Sequence, residues 1–75
     1  ETDLELTNMP EENQIKDLNN IAKKLSDKYD LDGRYLIRNS GTEPLLRVLI
    51  EAKDSHSVNE FSDELINNIK NYLFT

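Results

Sequence analysis

The run Arg38-Asn39-Ser40-Gly41-Thr42-Glu43-Pro44-Leu45-Leu46-Arg47 sets two hydroxyls and a glycine between two arginines. Guanidinium groups offer forked donors matched to phosphate oxygens, hydroxyls add directional donors, and a glycine lets backbone amides come close to an anion. The combination suits a phosphate cradle. It also suits an ordinary hairpin turn, because Ser, Gly, Thr and Pro are common loop residues and arginines at strand ends are usually solvated. Side-chain chemistry alone leaves both readings open. The other reactive residues offer less. His56 has no serine or carboxylate pattern around it and reads as solvated surface. Ser40 and Thr42 lack a second base, so neither reads as a nucleophile. Asp30-Leu31-Asp32-Gly33 has too few ligands for a cation and reads as a turn, with Gly33 supplying the backbone freedom for a chain reversal.

The elements that must position this loop follow from periodicity. Leu4 and Leu6 alternate with polar residues over Thr2 to Asn8, which predicts a short strand. Pro10 fits a first helical turn, and Glu11 and Glu12 complement the positive end of a helix dipole. Ile15, Leu18, Ala22, Leu25 and Tyr29 share one stripe, so a helix is expected over Pro10 to Lys28. Two strands then flank the polar loop, one through Tyr35-Leu36-Ile37-Arg38 and one from Leu45 to Ala52. Ser57-Val58-Asn59-Glu60 fits a capping box that opens a second helix, whose stripe runs through Val58, Phe61, Leu65, Ile69 and Tyr72. The three helical aromatics Tyr29, Phe61 and Tyr72 are expected in the core.

Strand, helix, strand, loop, strand, helix is the order of an α+β two-layer sandwich, an antiparallel sheet with both helices on one face. Its open face would carry Arg34, Leu36, Arg38, Arg47, Leu49 and Glu51. If Tyr35 and Ile37 face the helices together with Leu46, Val48 and Ile50, paired residues of the two motif strands must have numbers of odd sum. The register expected is Ile37 with Leu46, Arg38 with Leu45 and Leu36 with Arg47. The two arginines then become diagonal neighbours, roughly 7–8 Å apart.

Composition narrows the functional classes. The chain has 75 residues, room for one small domain and not for a two-domain enzyme. Nine basic against 15 acidic residues leave a net charge of −6, which disfavours nucleic acid or an anionic membrane as partner. The absence of cysteine excludes disulfides and thiolate metal sites. With no long apolar run and no signal segment, a cytoplasmic protein is expected. The first residue is Glu1, and Met9 is the sole methionine, so a piece of a longer chain is expected.

The motif itself resembles a known family. Arg38 through Val48, with Glu51 beyond, is similar to the C-terminal-domain signature of the α-D-phosphohexomutases, which fixes Arg, Ser-Gly-Thr-Glu-Pro, Arg and Glu at set spacing. Gly41, Arg47-Val48 and Glu51-Ala52 are most similar to the phosphoglucosamine mutase branch, and Asn39 stands where proline or lysine is common. The resemblance implies a TATA-binding-protein-like fourth domain spanning 1–75. It implies that Arg38, Ser40, Thr42 and Arg47 donate side-chain hydrogen bonds to the phosphate of a phosphosugar and that Gly41 donates its amide. It further implies no catalytic residue, cofactor or metal site in this chain, which alone would be inactive. The catalytic phosphoserine and Mg2+ would belong to the other three domains, which would be its partners in interconverting glucosamine 6-phosphate and glucosamine 1-phosphate. Alternatives are the corresponding domain of a phosphoglucomutase or phosphomannomutase, or a noncatalytic protein-interaction module.

Overall fold

A computed structural model describes residues 2–6 and 8–74. The elements are β1 (Thr2–Glu5), α1 (Glu12–Lys28), β2 (Gly33–Asn39), β3 (Leu45–Ala52) and α2 (Ser55–Phe74). The three strands form one antiparallel sheet in the order β1-β3-β2. Both helices pack on one sheet face, as the apolar periodicity predicts. Leu18, Ala22 and Leu25 of α1 and Phe61, Leu65 and Ile69 of α2 are buried against Ile37, Leu46 and Val48 of the sheet.

Element ends differ from the sequence reading for identifiable reasons. β1 stops at Glu5 rather than Asn8, and Thr7 lies outside the described residues. Continuing the β1–β3 register would set Leu6 opposite Pro44. The Leu6 amide donates to the Pro44 carbonyl at 2.8 Å, but proline has no N–H to return, so the ladder ends there. Helix α1 begins two residues later than expected. Pro10 is buried just outside it, Glu11 is the N-cap, and the Glu11 amide donates to Gln14 Oε1 at 2.8 Å.

Helix α2 begins earlier, at Ser55, because Asp54 takes the capping role expected of Ser57. Asp54 accepts from the His56 amide at 3.0 Å and from the Ser57 hydroxyl at 3.1 Å. Those bonds, the His56 amide first, hold the Asp54 carboxyl below its ordinary range. Glu60 meets His56 at 3.4 Å instead of closing a capping box. His56 itself is exposed, as expected.

The reversal between α1 and β2 is a Schellman turn. Leu31 N–H bonds the Ser26 carbonyl at 3.0 Å and Asp30 N–H bonds the Asp27 carbonyl at 3.3 Å. Its positive φ, 50°, falls on Asp30, not on a glycine. Gly33 is needed for a different reason: a Cβ there would lie 2.0 Å from the Glu51 carbonyl oxygen and 2.5 Å from Ala52 Cα. It lets β2 start hard against the end of β3.

Of the three aromatics expected in the core, only Phe61 is fully buried. Tyr29 and Tyr72 keep their hydroxyls at the surface and tie the helices together. Tyr29 Oη donates to Glu64 Oε1 at 2.6 Å, Lys28 Nζ joins the same carboxylate at 2.9 Å, and Tyr72 Oη donates to Asp17 Oδ2 at 2.6 Å. The Tyr29 hydroxyl first, and then Lys28, hold the Glu64 carboxyl below its usual value.

Two outcomes follow from this packing. Gly33→Ala should destabilise the fold by about 1–3 kcal/mol through forced separation of two backbones, read as a lower midpoint in urea denaturation. Because the folded-state pKa of Glu64 is depressed, its contribution is fully present above the ordinary value of 4.5 and is lost as pH falls through the lower folded value. The melting temperature should therefore drop on acidification below about pH 4.5, and Glu64→Gln should shrink that drop.

Candidate phosphate-binding loop

Strands β2 and β3 carry the loop between them, and their register sets its geometry. Ile37 pairs with Val48, Leu36 with Leu49, Arg34 with Glu51 and Arg38 with Arg47. The sums are odd, as the shared apolar face requires, but the register is shifted by two residues from the one expected. The observed register matches like with like on the open face. Arg34 Nε reaches Glu51 Oε2 at 2.9 Å, and Leu36 lies across from Leu49. The expected register would have set Arg34 opposite Leu49 and forfeited both matches.

One consequence is that Arg38 and Arg47 are directly opposed rather than diagonal. Directly opposed residues have Cα atoms about 4.5–5.5 Å apart. Both occupy the sheet face away from the helices, with Arg38 exposed and Arg47 half-buried. On the other side of Arg47 the register places Asp3 of β1. Among the described residues no ion pair engages Arg38.

The hairpin closes just beyond this pair. Ser40 N–H donates to the Leu45 carbonyl at 3.0 Å, extending the ladder by one step. The loop proper is Gly41 to Pro44, all exposed. Ser40 Oγ donates to the Glu43 carbonyl at 2.7 Å, and the Leu45 amide donates to the same oxygen at 2.7 Å. Glu43 therefore shapes the loop through its backbone. Gly41 has φ 109°, a conformation that side-chain-bearing residues rarely adopt, and open space lies where a Cβ would be. Among the described residues the amides of Gly41, Thr42 and Glu43 donate to no protein acceptor.

The register thus brings Arg38 and Arg47 together at the base of the loop, while Ser40, Gly41 and Thr42 form its rising limb. Ser40 spends its hydroxyl proton inside the loop and offers outward only lone pairs in this arrangement. Asn39 is a residue whose part the sequence reading misses. Alternation puts it on the helix side, where Nδ2 donates to the Pro10 carbonyl at 3.3 Å. The signal that could have found it is parity, since a residue between Arg38 and Ser40 must point away from the open face.

Arg38 and Arg47 are like charges set directly across a strand pair. Like charges across a strand pair destabilise by roughly 0.2–1 kcal/mol, a surface effect that salt screens. Arg38→Gln should accordingly raise the melting temperature slightly in phosphate-free buffer of low ionic strength, and the gain should vanish at about 1 M salt.

Comparison with known proteins agrees with the signature. The family described as Phosphoglucomutase/phosphomannomutase, C-terminal domain, matches residues 5–68. A phosphoglucosamine mutase of Pelobacter propionicus is 39% identical over 70 residues, covering 89% of this chain and 16% of the relative. One from Caldicellulosiruptor saccharolyticus is 40% identical, covering 91% of this chain and 17% of the relative. A third, from Ruminiclostridium cellulolyticum, is 45% identical over 53 residues, or 71% of this chain and 12% of the relative. The chain spans only 12–17% of the length of these relatives. No solved structure gives a significant match.

Proposed function

Since the chain belongs to the phosphoglucomutase/phosphomannomutase family as its C-terminal domain, we propose that it binds the phosphate of a phosphosugar within a longer phosphoglucosamine mutase. The observation that carries this reading is the direct opposition of Arg38 and Arg47 at the base of a loop whose Gly41, Thr42 and Glu43 amides, among the described residues, donate to no protein acceptor. Even at about 5 Å, two cations repel by only about 1 kcal/mol in water. A charge-assisted hydrogen bond to a phosphate oxygen returns roughly 1.5–3 kcal/mol for each arginine. Contact with a phosphate oxygen therefore outweighs the repulsion between the two side chains.

In this reading Arg38 and Arg47 supply the forked donors, the Gly41 amide supplies a backbone donor at the one loop position free of a Cβ, and Thr42 adds a hydroxyl. Ser40 would redirect its proton from the Glu43 carbonyl to the ligand or remain the brace of the loop. The Glu43 carboxylate would repel phosphate and is assigned no contact.

Among the described residues no group of three or more His, Cys, Asp or Glu is placed to hold a metal. The catalytic phosphate donor and the Mg2+ are proposed to reside in the remainder of the parent. No helix among the described residues is long and apolar enough to cross a membrane. The substrate sugar, glucosamine 6-phosphate and its 1-phosphate isomer, is proposed because the relatives are phosphoglucosamine mutases by name.

An amide-shift titration with glucosamine 6-phosphate tests the reading. A response confined to Ser40 through Glu43 is expected, with a dissociation constant on the order of millimolar because one open cradle leaves most of the ligand wet. Arg38→Ala or Arg47→Ala should each weaken binding by about 10- to 100-fold while leaving the fold intact. No response at the loop, or a full response without the arginines, would contradict it and favour a protein-interaction surface.

A further inference from the structure

Among the described residues, hydrogen bonds moor both ends of the loop to the connection between β1 and α1. At its C-terminal end the Pro44 carbonyl accepts from the Leu6 amide at 2.8 Å. At its N-terminal end Asn39 reaches behind the sheet, and its Nδ2 donates to the carbonyl of buried Pro10 at 3.3 Å. Asn39 follows Arg38 directly and precedes Ser40, so a grip on its side chain fixes the backbone that presents both.

The grip is not built for stability. Asn39 Oδ1 is buried with no hydrogen-bond partner, and its Nδ2 bond, at 3.3 Å, is slightly longer than the usual N–H···O range. A buried amide oxygen left unpaired is a net cost that an apolar residue of the same size would avoid. The alternation of β2 asks for an apolar side chain here, since Tyr35 and Ile37 fill the preceding positions on the same side.

We infer that Asn39 is a positioning residue for anion binding, anchoring the loop from the rear through the Pro10 carbonyl so that Arg38 and the loop amides meet the ligand already ordered. This rests on the phosphate reading above. Ordering the loop beforehand removes part of the entropy that binding would otherwise cost. The same tie joins the ligand loop to the β1–α1 connection, so a change at one end is felt at the other.

Asn39→Leu in the full 75-residue chain is the test, with inorganic phosphate as the probe. Half-saturation of the Ser40 to Glu43 amide shifts is expected to need about two- to tenfold more phosphate. The Leu6 amide should exchange faster with solvent, while the melting temperature stays within about 4 °C of the unsubstituted chain. Unchanged half-saturation with unchanged Leu6 exchange overturns the inference. So does a large fall in melting temperature with affinity preserved, which would make Asn39 a packing residue only. Should the leucine fail to fit, Asn39→Ala removes the same anchor, and the same two readouts support or overturn the inference. If the unsubstituted chain shows no phosphate response, the phosphate reading fails, and faster exchange at Leu6 and Ser40 then decides alone whether the anchor exists.

Discussion

The register between β2 and β3 governs everything that happens on the open side of this molecule. Sliding one strand by two residues would keep every apolar side chain on the helix side, so hydrophobic burial does not choose between the alternatives. The open face chooses. Pairing Arg34 with Glu51 and Leu36 with Leu49 satisfies two cross-strand matches, and the close approach of Gly33 to the Glu51 carbonyl fits this alignment. Once that choice is made, Arg38 must face Arg47, and the hairpin must turn through Gly41 to Pro44.

The two faces of the sheet divide the labour. The helix side supplies cohesion through a buried apolar layer, reinforced at its surface by hydroxyl-to-carboxylate ties between the helices. The other side sets the register through Arg34 with Glu51 and Leu36 with Leu49, and it carries the opposed Arg38 and Arg47. Residues that break the rule of an apolar helix side and a polar open side are then informative. Asn39, a polar group turned inward, is the clearest of them.

Much of this is legible in the sequence. The class, the element order, the side each strand residue faces and the place of the loop all follow from spacing. The exact register does not, because a period-two pattern is unchanged by a two-residue slip and the loop length that separates the alternatives is not encoded in hydrophobicity. The start of α2 is ambiguous because Asp54 and Ser57 are both competent caps and only geometry decides between them. Gly33 reads as a turn glycine, although its need arises from the backbone of a neighbouring strand, distant in sequence, at Glu51. Tyr72 sits on the apolar stripe yet is 37% exposed, because its hydroxyl finds a partner in Asp17 at the surface.

The phosphohexomutase signature and the strand register meet at one pair of residues, Arg38 opposite Arg47 at the base of the loop. A crystal structure of the full-length parent bound to glucosamine 6-phosphate would examine that pair directly. Phosphate oxygens are expected within hydrogen-bonding distance of both Arg38 and Arg47, with the Gly41 amide directed at the same group. A phosphate bound elsewhere on the domain, or one touching the loop with the two arginines turned away from it, would refute the assignment of this hairpin as the phosphate cradle.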